Sequence, residues 1–382
     1  MTVNGTATTL RDYLFRFFSW FYGAGTWLRN KLFDWGLLKQ HEFEIPVIVV
    51  GNIAVGGTGK TPHVEYIVAK LSTQYNIGVI SRGYKRSTKG FILATDKSTP
   101  NDIGDEPYQI FNKFHGRIRL AVSEDRAFGI RELRRLYPDI NMIILDDGFQ
   151  HRHVKPDLSI VLMEYRNMPY DDHLLPYGRL RESIDALRRA SIIVVTKCPE
   201  TINPIDFRLV KNNLNLYPSQ GLYFSRYQYG SLVPLFSDFV EEAPRLSDFT
   251  ADDTFMTITG IAHPKPFTRH LRNNYQATVK SIRFPDHYNF VRSDFDFITS
   301  KFNELKGRRK IIITTEKDAV RMVNNPYFPQ ELKNKVFYLP IHVEFIPYLN
   351  DDFSEGFYKH LREIPLSKQR RAAATPKSND NR

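Results

Sequence analysis

The stretch from Ile45 to Thr61, IPVIVVGNIAVGGTGKT, constrains this chain more than any other. A β-branched run that enters a glycine-rich turn and leaves through Gly-Lys-Thr into a helical pattern is the strand, loop and helix of a phosphate-binding site. Nucleotide contacts are expected along Ala54, Val55, Gly56, Gly57, Thr58, Gly59, Lys60 and Thr61. The glycines let backbone N–H groups turn onto phosphate oxygens, Lys60 reaches the β- and γ-phosphates, and the Thr61 hydroxyl is a ligand for Mg²⁺. The helix dipole adds to anion binding there. Pro62 fits the first helical turn, and Val64, Ile67, Val68 and Leu71 then repeat at helical spacing. Ala54 stands where the first glycine of G-x-x-x-x-G-K-[ST] belongs, a small cost if its φ stays negative.

The partner of such a loop is a carboxylate at a neighbouring strand end. Asn141 to Gln150, NMIILDDGFQ, supplies one in Asp146 and Asp147, placed to hold Mg²⁺ or its waters. Further apolar runs at 77–80, 118–122, 158–163 and 192–196 alternate with helical patterns, among them 125–136. The expected fold is α/β, a P-loop NTPase-like, mostly parallel sheet flanked by helices. SRGYKR (81–86) leaves a strand where such sheets place ligands, so Arg82 is a candidate for an anionic group, with a solvated turn as the alternative. Asp105 and Glu106 open a helical pattern and, taken alone, read as partners of the helix dipole. His151 and His153 make a weak metal pair, and LLPYGRLRE (174–182) is expected to carry Arg179, Arg181 and Glu182 into a helix. Thr196-Lys197-Cys198 lacks the aspartate of a guanine-reading motif.

From Leu10 to Leu38 the chain is aromatic and basic, with Leu14, Phe18, Phe21, Leu28, Leu32 and Trp35 on roughly one helical face. Its uncharged core, between Arg16 and Arg29, falls short of the ~20 residues a bilayer span needs. Aromatic rings with interspersed cations suit a helix lying at a lipid headgroup boundary, and a helix packed on the domain is the alternative. Residues 1–42 are therefore assigned to an N-terminal amphipathic membrane-associating segment and 43–235 to the P-loop domain. An acidic stretch at 226–252 with little periodicity marks the boundary to a second, smaller α/β domain, 236–365, ahead of a basic tail, 366–382, expected to be disordered. A net charge of +11 predicts an anionic partner, and the single cysteine, Cys198, excludes an intrachain disulfide.

Assembled, these stretches resemble the tetraacyldisaccharide 4'-kinase family, the lipid A 4'-kinases of Gram-negative bacteria. The resemblance rests on GNIAVGGTGKTP (51–62), SRGYKR (81–86), GDEP (104–107), LDDGFQHR (145–152), LLPYGRLRE (174–182), TGIAHPKPF (259–267), FPDHYNF (284–290) and TTEKDAVR (314–321). Ala54, Tyr177, Arg179 and the tail depart from the family pattern. The resemblance implies transfer of the γ-phosphate of ATP, with Mg²⁺, to the 4'-hydroxyl of a tetraacylated glucosamine disaccharide 1-phosphate. It implies work at the cytoplasmic face of the inner membrane, bound peripherally to an anionic surface, with no nucleic acid and no protein partner. It makes Asp105 the base or orienting carboxylate, coupled to His263 of the second domain, with Lys60 and Arg181 also catalytic. Thr61, Asp146, Asp147 and Glu182 become the Mg²⁺ set, and Arg82, Arg126 and Gln150 the substrate set. A nucleic-acid-binding ATPase would also explain the charge and the P-loop, but no helicase, RRM or helix-turn-helix signature accompanies them. A membrane-associated nucleotide sensor leaves Asp105, His263 and the arginines without a task.

Overall fold

The computed structural model describes residues 10–347, 352–365 and 368. The tail expected to be disordered lies outside the described residues, Lys368 excepted. The central strand, β1 (Val47–Asn52), is buried at all six positions, as a parallel strand covered on both faces must be. The N-terminal helix α1 (Leu10–Asp34) precedes β1, and the helix that leaves the phosphate loop is α2 (Lys60–Leu71).

Next come β2 (Ile77–Ser81), β3 (Ile92–Leu93), α3 (Pro100–Ile103), α4 (Asp105–Lys113), β4 (Ile118–Val122), α5 (Arg126–Leu136) and β5 (Met142–Asp146). β6 (Leu158–Glu164), β7 (Ile192–Thr196), α6 (Pro204–Leu214) and β8 (Gly221–Tyr229) complete the forward run. With β14 (Ile341–Ile346) they form a nine-stranded sheet ordered β14-β8-β7-β6-β1-β5-β2-β4-β3. It is parallel except where β14 meets β8 and β3 meets β4. Separate apolar cores cover its two faces, one under α2 and α4, the other under α5 and α6. β1 lies between β5 and β6, so the phosphate loop leaves the sheet beside the end of β5, with Val50 in register with Asp146. That is the position open α/β sheets reserve for ligands.

The second domain is a five-stranded sheet ordered β11-β10-β12-β13-β9. Its strands are β9 (Val233–Pro234), β10 (Thr254–Thr259), β11 (Thr278–Arg283), β12 (Lys310–Thr315) and β13 (Val336–Leu339). Its helices are α7 (Lys265–Asn274), α8 (Arg292–Asn303) and α9 (Glu316–Val323). The composition shift places the second domain at 236–365, but the sheets divide the chain differently. β9 already belongs to the second sheet, while β14 and α10 (Phe353–Glu363) return to the first. Phe353 of α10 stacks on Phe345 of β14 at 3.7 Å between ring centroids. Two chain crossings therefore join the domains side by side, held by the Gly230 N–H donating to Pro340 O at 2.9 Å. The alternating pattern IHVEFI marks β14 as a strand but carries nothing that says which sheet it pairs with.

Helix α1 is not a core helix: only Phe33 is buried, and Phe17, Phe18, Trp20, Phe21 and Trp27 are each more than half exposed. It is tied down by polar contacts, with Ser19 Oγ donating to Leu174 O at 2.8 Å, Tyr22 Oη to Arg181 O at 3.0 Å, and an Arg152–Asp34 ion pair at 2.8 Å. Among the described residues no helix is long and apolar enough to cross a membrane.

Candidate active site

The phosphate half of the site is made mostly of backbone. Gly59 caps α2 at φ +91°, in the left-handed region, which only glycine occupies at no cost. Ala54 is not among the residues of positive φ, so alanine is tolerated in place of the family glycine. Its neighbours fix the loop: the Val55 N–H donates to Arg179 O at 2.7 Å, and Asn52 Nδ2 to Thr58 Oγ1 at 2.8 Å. Behind the loop, His63 is buried between Gly59 O (2.7 Å from Nδ1) and Ser225 Oγ (3.0 Å from Nε2), and burial pushes its pKa down to about 4.

Lys60 Nζ lies 3.7 Å from Asp147 Oδ1, and Arg181 reaches the same carboxylate at 3.3 Å. Burial opposes ionisation of Asp147, but Lys60 and then Arg181 outweigh it and hold the carboxyl below its ordinary value. Asp147 adopts φ +51°, a backbone cost that turns it toward the two cations. Asp146 behaves differently. Its Oδ2 accepts from Ser81 Oγ at 2.9 Å, while its Oδ1 is buried without a partner. Burial, then Glu106 and Asp147, push its pKa up to about 7.

The hydroxyl half is made of side chains from both domains. Gly104, at φ +92°, lets α4 begin on Asp105; a Cβ there would lie 3.0 Å from Tyr84 O. Asp105 Oδ2 accepts from His287 Nδ1 at 2.8 Å and from Arg321 Nη2 at 2.6 Å and Nε at 3.1 Å. Oδ1 has no hydrogen-bond partner among the described residues. Arg321 is itself fixed by Asp318 Oδ1 (3.1 Å) and Gly260 O (3.3 Å), and Asp318 is fully buried, accepting from the Gly260 N–H and Thr315 Oγ1. Burial works against the Asp105 anion, but hydrogen bonds from His287 and Arg321 hold its pKa well below the usual carboxylate range. Gln109 of α4 donates to Glu65 Oε1 of α2 at 2.8 Å, which packs α4 beside the helix that follows the phosphate loop.

Residues 11–361 match the family described as Tetraacyldisaccharide-1-P 4'-kinase. The chain belongs to that family. The tetraacyldisaccharide 4'-kinase of Bacteroides thetaiotaomicron is 47% identical over 353 residues, covering 90% of this chain and 92% of that protein. The enzyme of the same name from Flavobacterium johnsoniae is 38% identical, covering 93% and 98%. A crystal structure of LpxK from Aquifex aeolicus in complex with ATP superposes with a TM-score of 0.70 at 30% identity, covering 93% of this chain and 99% of that one.

Membership in this kinase family makes the position of each expected residue informative. The partner of Asp105 is His287, not His263, which is exposed. Both histidines lie in family blocks, TGIAHPKPF and FPDHYNF, and spacing alone does not choose between them. The visible signal for His287 was an acidic-basic pair, Asp286-His287, at a turn; the structure adds φ +62° at His287, which aims its ring at Asp105. Arg321, the last residue of TTEKDAVR, was missed because nothing in its local sequence separates it from a solvated helical arginine.

Arg179 to Glu182 lie in a loop, not a helix, with Leu180 bridged to Ala54. Glu182 Oε2 accepts from Asn30 of α1 at 2.8 Å and from Arg189 at 2.6 Å, and its Oε1 is buried without a partner. Gln150 Nε2 donates to Asn52 O at 2.6 Å, and its carbonyl accepts from Arg29 of α1. Arg126 is buried at the start of α5, with Nη1 on Ser123 O at 2.6 Å and with Nε and Nη2 lacking partners. Arg82 and His151 lie within its field; burial, then Arg126 and Arg82, push His151 down to about 4. The guanidinium charges of Arg126 and Arg82 beside His151 disfavour a cation there, and His153 Nδ1 contacts Lys39 O at 3.2 Å. Among the described residues no three His, Cys, Asp or Glu side chains converge as a preformed metal cage. Mg²⁺ does not require one, since it is commonly held by one or two protein groups, substrate phosphates and water.

Proposed function

We propose that the chain transfers the γ-phosphoryl group of ATP to the 4'-hydroxyl of a tetraacylated glucosamine disaccharide 1-phosphate. The observation that carries this reading is the uncommitted Oδ1 of Asp105, set at the start of α4 beside the phosphate half while His287 and Arg321 hold the other oxygen. A carboxylate in that position accepts a hydrogen bond from an alcohol and aims it at the phosphoryl group.

Mechanism follows from the chemistry of each group. The Thr61 hydroxyl and Asp146, whose Oδ1 is orphaned, are the residues that would hold Mg²⁺, which supplies charge neutralisation on the β- and γ-phosphates. Asp147 is committed to Lys60 and Arg181, so it positions cations for the transferring group. As the 4'-oxygen bonds to phosphorus, the bond from phosphorus to the leaving ADP oxygen breaks and the hydroxyl proton passes to Asp105 Oδ1. Asp105 is a weak base, but a loose transition state builds little positive charge on the attacking hydroxyl until late, so orientation counts for more than basicity. Arg82, which is exposed, would meet an anionic group of the acceptor, and the buried Arg126 adds positive field behind it.

The acceptor is a lipid, and each CH₂ drawn from the bilayer into water costs about 0.8 kcal/mol. Helix α1, with Phe17, Phe18, Trp20, Phe21 and Trp27 exposed and Arg11 and Arg16 interspersed, is suited to meet it at the headgroup boundary. The protein accordingly works bound peripherally at the cytoplasmic face of the inner membrane. The test is turnover of ATP by the purified chain with lipid disaccharide in detergent micelles. The expected product keeps its 1-phosphate and gains one at the 4' position. Turnover stimulated by nucleic acid and indifferent to the lipid would overturn the reading.

A further inference from the structure

The Asp105–His287 pair has a third neighbour. Lys317 is on α9, one turn before Arg321, so the two cations lie at i and i+4 on one helix face. Arg321 takes the aspartate, and Lys317 Nζ lies 3.1 Å from His287 Nε2. An ammonium has donors only, so this contact asks Nε2 for its lone pair. Nδ1 faces both the Asp105 Oδ2 acceptor at 2.8 Å and the Arg321 Nη2 donor at 3.1 Å; the carboxylate, which is the shorter contact and only accepts, takes the Nδ1 proton.

The charges around the ring come from three elements. Asp105 approaches from α4, Arg321 Nη2 at 3.1 Å and Lys317 from α9, and Asp286 at 3.9 Å from the loop that carries His287 itself; the Tyr84 ring closes the remaining side at 6.2 Å. Lys317 is held in turn by Asp286 at 3.8 Å and by Glu106 of α4 at 3.9 Å, so it also ties the second domain to the first. Its side chain is a quarter exposed.

We propose that Lys317 is a positioning residue for the phosphoryl transfer: by donating to Nε2 it fixes the tautomer of His287. The aspartate then has one oxygen occupied by Nδ1–H and Arg321 and one oxygen left for the acceptor hydroxyl. Without the ammonium, the imidazole can carry its proton on Nε2 instead of Nδ1, and the hydrogen bond that orients Asp105 is lost in part of the population.

This inference rests on the kinase reading, and the experiment separates the two. Full-length wild type, Lys317→Met, Lys317→Arg, His287→Ala and the Lys317→Met/His287→Ala double variant are assayed with ATP and lipid disaccharide in micelles. Lys317→Met is expected to lower kcat about tenfold with KM for both substrates near wild type. Lys317→Arg recovers part of the rate. In the His287→Ala background the Lys317 change adds less than about twofold, as expected for residues acting through one another. A raised KM for the disaccharide with kcat unchanged would overturn the proposal in favour of direct substrate contact. An equal loss in both backgrounds would overturn it too. Failure of the wild type to phosphorylate the disaccharide would remove the kinase reading, and this inference with it.

Discussion

The phosphate half of the site is built inside one domain from a contiguous loop and one strand end, whereas the hydroxyl half exists only where α4 of the first domain meets α9 and the His287 turn of the second. The first uses backbone N–H groups, whose placement follows from strand, glycine and helix. The second uses side chains separated by as many as 216 positions, as Asp105 and Arg321 are. The difference teaches that nucleotide binding and acceptor activation can fail separately. A lesion in the loop should disturb both, and a lesion across the domain contact should leave nucleotide binding in place.

The largest effect that would break this comparison is at Asp105. Asp105→Ala is expected to lower kcat by roughly 10²–10⁴, with KM for ATP unchanged in steady-state assays. A loss confined to KM for ATP would mean that the two halves are not separate. Lys60→Ala should come next, lowering kcat by about 10²–10³ and weakening nucleotide binding as well, because its ammonium meets the phosphates directly. Equilibrium titration with a fluorescent ATP analogue checks the second part, and near wild-type turnover would end the P-loop assignment.

A smaller effect sharpens the comparison through stability. His63 supports the loop as a neutral imidazole, with its folded pKa near 4 against an ordinary 6.5. Its contribution is fully present above pH 6.5 and is lost as pH falls toward 4, about 3 kcal/mol in all. Urea unfolding at neutral and acid pH should show that loss, and His63→Gln should flatten it. The hydroxyl half has its own window at lower pH: Asp105, held well below its ordinary 3.8, contributes stability that is present above that value and lost as pH falls further. The smallest effect concerns α1: Arg11→Glu with Arg16→Glu should weaken binding to anionic vesicles by about 1 kcal/mol per residue and reduce its salt dependence. Sedimentation with vesicles measures this, and unchanged binding would move the membrane contact elsewhere.

The same contrast explains what was legible. The loop, Asp146, Asp147 and the parallel sheet could be read directly, because each is a local pattern whose geometry the chain fixes within a few residues. Asp105 could be named only through family resemblance, since an acidic residue at a helix start is ordinary. His287 and Arg321 were hidden, because which of two histidines reaches Asp105 depends on how the sheets are joined, and that junction turns on β14 returning to β8. Exposure of the α1 aromatics was also open in the sequence. A helical stripe of Phe and Trp reads the same whether a domain or a lipid surface covers it, and the fold leaves it uncovered.

The central claim is that the acceptor hydroxyl is activated by a pair assembled across the domain contact, with His287 as the second member. The most direct test is kcat for Asp105→Ala, His287→Ala, His263→Ala and the Asp105→Ala/His287→Ala double variant, measured with ATP and lipid disaccharide in one assay. The account predicts a large kcat loss for His287→Ala, little further loss when it is combined with Asp105→Ala, and a rate within a few-fold of wild type for His263→Ala. A large loss at His263 with His287→Ala near wild type would contradict it.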